Sequence, residues 1–175
     1  LMKVLALMTA FVASGSLVMA AVETQQVTYN IGDQAFKGVV ARDTAVSAQR
    51  PGVLVIPEYW GLNDYATSRA KQLAELGYIA FVADMYGDGK VTKDPRQAGQ
   101  WSGQVKGNRP MMRERAMAAL EQLSNQPGVD KDNLAAIGYC FGGTGVLELA
   151  RMNAPVKGVV SFHGGLAKGN AETSE

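Results

Sequence analysis

The sequence predicts an α/β fold, a mostly parallel sheet flanked by helices with a β-hairpin at its N-terminal end. Three observations carry this expectation. Short apolar, β-branched runs at 53–56, 78–83, 134–137 and 156–162 are continuous rather than alternating, as in strands buried on both faces. Segments with helical periodicity and helix punctuation separate these runs. The resulting βαβαβαβ alternation favours parallel strands joined by crossovers that lay helices on both faces, and in such a sheet functional groups gather at the carboxyl ends of the strands.

Taken in order, residues 1–20 stand apart from the fold. Lys3 is a positive n-region, Val4 to Val18 is mostly apolar, and Val18-Met19-Ala20 is a small-x-Ala cleavage site, the pattern of a secretory signal peptide. The stretch is short against the ~20 apolar residues of a spanning helix, so no stable membrane span is expected after cleavage. The expectation is an exported protein, periplasmic or secreted, with residues 21–175 as one domain.

Gln26 to Asn30 and Ala35 to Ala41, separated by Ile31-Gly32-Asp33-Gln34, read as an antiparallel hairpin. Val53 to Ile56 is the first buried strand, ended by Pro57. Asn63 or Asp64 caps a helix with Ala66, Ala70, Leu73 and Ala74 on one face and Gly77 as its stop. Tyr78 to Ala83 is the second strand and runs into Asp84-Met85-Tyr86-Gly87-Asp88-Gly89. A short helix is expected around Gln97 to Val105, and Pro110 opens a clearer one carrying Met112, Ala116, Ala119, Leu120 and Leu123. Leu134 to Ile137 is the third strand, Phe141 to Met152 a helix, and Val156 to Phe162 the fourth strand.

Composition narrows the chemistry. The 175 residues carry 17 Lys and Arg against 16 Asp and Glu, with no basic block, so nothing points to a nucleic-acid partner. One Cys excludes an internal disulfide, and one Cys with one His excludes a zinc site built from several such ligands. No cofactor or metal is implied. In Gly138-Tyr139-Cys140-Phe141-Gly142-Gly143, Cys140 displaces the second glycine of a dinucleotide fingerprint, and no Gly-Lys-Ser/Thr follows.

That same segment is the sharpest feature. Gly-x-Cys-x-Gly falls where a buried strand turns into a helix, the context of a nucleophile elbow, which needs small residues two positions either side of the nucleophile because side chains there would collide with the turn. A thiol so placed sits at a helix N-terminus, where the dipole and free N–H groups favour the thiolate. The Phe141 N–H is then one oxyanion-hole donor, and a backbone N–H after the first parallel strand, at Tyr59, is the natural second. Glu58 projects near the crevice, where a carboxylate can hold or accept the thiol proton.

Glu58-x-x-Gly61-x-Asn63, Ala83-Asp84-Met85-Tyr86 and the Cys140 segment together resemble the dienelactone hydrolase family of α/β-hydrolases, over about Phe36 to Gly165. The resemblance implies an α/β-hydrolase fold and a Cys–His–Asp triad that hydrolyses an enol lactone or related ester through a thioester acyl-enzyme, with Glu58 matching the glutamate that pairs with the resting Cys. The partner is a small-molecule ester or lactone. Family members also bind the substrate carboxylate through arginines. Arg96 and Arg113 lie after the Tyr86 loop, and Arg96, Tyr86 and Trp101 are the candidates for substrate contact; a solvated helix face is the competing account of both arginines.

The sequence departs from the family in one respect. After Cys140 it has no Asp, only Glu148, Glu172 and Glu175, and its single His, His163, ends the fourth parallel strand, one strand too early for the family's catalytic His. His163 is expected to make a structural contact at the mouth of the crevice. The family's Asp and His come from later strands, so the chain is expected to be C-terminally incomplete, its last strands missing and its hydrolytic turnover slight. The alternative reading is a non-catalytic thiol domain that binds ligands or responds to redox conditions.

Overall fold

A long hairpin, β1 (Val22–Ile31) and β2 (Gln34–Asp43), opens the fold, turning at Gly32 with φ 55°. It extends further at both ends than the alternating residues suggest, because ten registered pairs from Val22↔Asp43 to Ile31↔Gln34 hold strand ends that have little apolar character of their own. The computed structural model describes residues 22–167, so the predicted signal peptide lies outside the described residues.

Six strands form one sheet in the order β1-β2-β4-β3-β5-β6. β3 (Arg50–Ile56), β4 (Ile79–Val82), β5 (Val129–Tyr139) and β6 (Gly158–Phe162) are mutually parallel, and β2 joins β4 antiparallel, so the sheet is mixed with its antiparallel pair at one edge. The central strands are buried on both sides. In β3, Val55 faces a cluster with α1 (Asp64–Glu75), while Leu54 and Ile56 face the larger core beneath α3 (Arg109–Ser124) and α4 (Phe141–Arg151).

The helix on the first side lies close because its contact face is alanine. Ala66, Ala70 and Ala74 pack on Ala41, Val55, Ala80 and Val82. Asn63 caps it, its side chain accepting from the Ala66 N–H at 3.0 Å. On the opposite side Met112, Ala116, Ala119, Leu120 and Leu123 of α3 are all buried, as their spacing predicts. α2 (Pro95–Gly107) is longer than the expected 97–105 helix because Asp94 accepts from the Arg96 N–H and Pro95 occupies the first turn.

β5 starts five residues before its apolar run. Asp130 accepts from the Asp132 N–H and the Asn133 amide, which absorbs the polar Asp130–Asn133 segment in an irregularity where the register against β3 shifts. β6 begins at Gly158, two residues later than Val156. Among the described residues it lies at the edge of the sheet, and Val160 and Phe162 are exposed on it.

Candidate active site

Cys140 stands between β5 and α4 with φ 53° and ψ −112°, a conformation that costs an L-residue energy and persists only where its surroundings impose it. The flanking glycines show how. A Cβ on Gly138 would lie 2.1 Å from the Gly142 carbonyl oxygen, and one on Gly142 would lie 2.1 Å from the Ile56 carbonyl oxygen. Both obstacles are backbone, so neither position admits a side chain. The Cys140 N–H donates to the Phe162 carbonyl at 2.9 Å, tying the bend to β6, and the Cys140 carbonyl accepts from the Thr144 N–H. The thiol is left exposed.

A small cavity of about 150 Å³ opens at this thiol, lined by Tyr59, Ser102, Lys106, Cys140, Phe141, Thr144, His163 and Gly165. It gathers the nucleophile candidate and both residues proposed from sequence to offer oxyanion-hole amides. Glu58 is not part of the lining. It is half-buried on the loop after β3, and its carboxylate makes no hydrogen bond or ion pair among the described residues, while its carbonyl accepts from Gly61.

Tyr86 and Trp101 come together, their ring centres 5.5 Å apart, and Tyr86 packs on Phe141 at 5.6 Å. These two line a neighbouring cavity of about 380 Å³ with Lys90, Met111 and Arg115. The Tyr86 hydroxyl donates to the Tyr59 carbonyl at 3.0 Å, fixing the loop that carries Tyr59. Burial pushes the Tyr86 phenol above its ordinary range; a hydrogen bond with Ser102 opposes this and the negative charge available to Cys140 adds to it. The hydroxyl therefore keeps its proton at neutral pH and remains a donor.

Tyr86 owes its position to Asp84. This carboxylate, 1% exposed, accepts four backbone N–H groups, from Tyr86 and Gly87 at 2.9 Å each, from Gly89 at 2.8 Å and from Lys37 of β2 at 3.0 Å. One side chain thus folds the loop after β4 and fastens it to the hairpin.

The arginines divide. Arg96 is exposed in the first turn of α2 and lines neither cavity, as a solvated helix face requires. Arg113 departs from both readings, because it is half-buried and turned to Glu148 and lines neither cavity. Its Nε donates to Glu148 at 2.8 Å, Arg151 reaches the same carboxylate, at 2.6 Å, and Arg109 lies 3.8 Å away. Glu148 is 1% exposed. Burial alone would raise its pKa, but the hydrogen bonds from Arg113 and Arg151 and the charge of Arg109 outweigh it and hold the carboxyl below the usual range.

Sequence reasoning passed over Ser102, Lys106 and Thr144. Ser102 and Lys106 are four apart on α2 and so share a helix face, a signal that needs the helix and its docking to be known first. His163 does lie at the crevice mouth, yet its side chain makes no hydrogen bond among the described residues and lines the cavity instead. No cluster of three or more His, Cys, Asp or Glu suited to a metal ion occurs among the described residues, and no helix there is long and apolar enough to cross a membrane.

Comparison with known proteins agrees with this geometry. The structure of a dienelactone hydrolase-like promiscuous phosphotriesterase from metagenomic libraries superposes with a TM-score of 0.80 at 46% identity, covering 83% of this chain and 61% of that one. The structure of m3DLH gives 0.83 at 44% identity, covering 88% and 64%. A Bradyrhizobium sp. protein named "Probable 2-oxo-3-(5-oxofuran-2-ylidene)propanoate lactonase" is 28% identical over 120 residues, 68% of this chain but 48% of that protein. The chain therefore spans about half to two thirds of the length of these relatives. With residues 36–175 matching the model of the dienelactone hydrolase family, and a glycine-flanked cysteine standing at its strand-to-helix bend, the chain belongs to that family.

Proposed function

We propose that the chain carries the nucleophile of an ester or lactone hydrolase and that Cys140 is this nucleophile. The observation that supports it is the strained Cys140 backbone opening, with Tyr59 and Phe141, into one cavity. In this reading the thiolate attacks the acyl carbonyl, a C–S bond forms, the alkoxide or enolate departs, and the oxyanion is met by the Phe141 and Tyr59 N–H groups. Water then cleaves the thioester, a step that needs a general base to activate the water. Tyr86 and Trp101 form the wall along which the rest of the substrate lies, and Glu58 governs the resting thiol from the loop beside it. The substrates named for the relatives, a lactone in one case and a phosphotriester in another, suggest an activated ester as the first probe.

Acylation is the half-reaction that tests Cys140 directly. Mixing the protein with p-nitrophenyl acetate should release a burst of nitrophenolate equal to the protein concentration and leave an acetyl group on Cys140, visible by mass spectrometry. Cys140→Ala should lose both. A burst that survives in Cys140→Ala would refute the assignment.

A further inference from the structure

The parallel strands have a second end, and a buried cation lies there. Arg50 opens β3 and Ile56 closes it beside the elbow, so the seven residues of the strand place Arg50 about 20 Å from that contact. Arg50 is 7% exposed. Its Nη2 donates to the Asp43 carbonyl at 3.0 Å and to the Val46 carbonyl at 3.4 Å. Nε and Nη1 are buried without a hydrogen-bond partner, and Arg50 joins no ion pair among the described residues. Three of the five N–H bonds of this guanidinium therefore meet no acceptor. The group keeps its charge at every physiological pH, and charged donors withdrawn from water without an acceptor destabilise the fold.

A cavity of about 300 Å³ adjoins it, between the end of β2, the 44–49 loop and the turn before β5. Arg42 lines this cavity with Arg50; it is half-buried and also joins no ion pair among the described residues. Ser47 adds a hydroxyl. Asp43 brings the one carboxylate of the lining, which accepts from the Ala45 N–H at 2.9 Å. Two guanidinium groups against one carboxylate leave an excess positive charge. The lining shares no residue with the cavity at Cys140.

Water could accept from the Arg50 N–H groups but would leave that charge uncompensated. An oxyanion does both, and a guanidinium edge presents paired donors that match two of its oxygens. A flat carboxylate offers its oxygens in one plane, whereas a phosphate group offers them in several directions. The second arrangement suits donors that arrive from β2, from the loop and from β3.

We propose that this cavity binds a phosphate group, with Arg50 as its buried anchor through Nε and Nη1 and with Arg42 and Ser47 at its rim. Both anchoring nitrogens are covered, so the anion seats as the exposed 44–49 loop gives way, and that loop reports its arrival. The site does not depend on the role of Cys140.

Inorganic phosphate, titrated into the whole chain at constant ionic strength with chloride as the balance, tests the proposal by calorimetry. One saturable site is expected. Amide exchange should slow severalfold in residues 44–49 and stay unchanged at the elbow. Arg50→Met removes the guanidinium while keeping an unbranched buried side chain, and should abolish binding. Arg42→Gln alters only the rim and should weaken binding about tenfold, the loss of one charge-assisted contact. It decides the matter even if Arg50→Met fails to fold. Glycerol phosphate separates the sources: binding at least as tight as that of the free ion supports a phosphorylated small molecule, and weaker binding supports free phosphate. No saturable binding at about 10 mM phosphate, or unchanged affinity in the Arg42 variant, overturns the proposal. So does protection that spreads over the chain without favouring residues 44–49, the mark of a general salt effect.

Discussion

Two loops border the crevice, and they are held in opposite ways. The loop after β4 is organised from within, by one buried carboxylate, Asp84, that collects backbone amides from its own next five residues and one from the hairpin. The turn after β6 is organised from outside, by Thr144 of the elbow helix and by two arginines that share Glu148. The first design concentrates its stability in one residue and can be written in a short stretch of chain. The second spreads it over α3, α4 and the turn, so single changes there should cost less.

Replacing Asp84 gives the largest expected effect. Asp84→Ala leaves four amides without their charged acceptor; allowing for relaxation of the loop, the loss should be about 4 kcal/mol, from 1.5–3 kcal/mol per charge-assisted bond. Urea denaturation measures it. A loss under about 1 kcal/mol would mean that water replaces the carboxylate readily and that the contrast drawn here is false.

Glu148→Gln comes next. Removing the charge that three guanidinium groups share should cost about 3 kcal/mol, at the low end for a buried pair because Arg113 and Arg151 remain partly solvated. Its signature is pH dependence. The Glu148 carboxyl is held below its unfolded value, so its contribution is fully present above the unfolded carboxylate pKa and is lost as pH falls through the lower, folded one. Denaturation midpoints compared at neutral and acidic pH should converge for the native chain and Glu148→Gln as that range is crossed. Parallel pH profiles would show that Glu148 is not ionised in the folded protein.

Thr144→Val is the smallest change. It removes the reciprocal bonds with Gly165 while preserving shape, and should cost about 1 kcal/mol. Amide exchange at Gly165 should quicken while that of β3 does not, since the arginines still hold Leu166 and Ala167. Faster exchange throughout the core would mean that the turn and the sheet are one cooperative unit.

The same division decides what could be read in advance. Gly138, Cys140 and Gly142 announce the elbow because its requirement is local and steric: the atoms that forbid side chains belong to backbone brought there by the bend itself or by the adjacent strand. The run of continuous apolar strands gives the parallel core, and Asp94-Pro95 could have given the start of α2 had the cap been weighed beside the proline. Glu148 offered no such signal. It reads as a polar residue on an apolar helix, and only the tertiary approach of Arg113, 35 residues earlier, explains why a carboxylate is buried there. His163 was legible as a strand-end residue at the crevice mouth, but the turn that carries it was not, because its contacts come from Gly143 and Thr144 of α4 and from arginines of α3 and α4.

The contact between Gly142 and the Ile56 carbonyl has one more consequence. Ile56 immediately precedes Pro57, Glu58 and Tyr59, so the start of the elbow helix and the start of the opposing loop touch backbone to backbone, with no side chain between them. A gap filled by a side chain widens and narrows as that chain changes rotamer, and it drifts when the residue is replaced. This one has neither freedom, and the approach of the elbow helix to the end of β3 is gauged by main-chain atoms. It is a spacer that substitution elsewhere in the cavity can leave untouched, which frees the wall residues to vary while that approach stays the same.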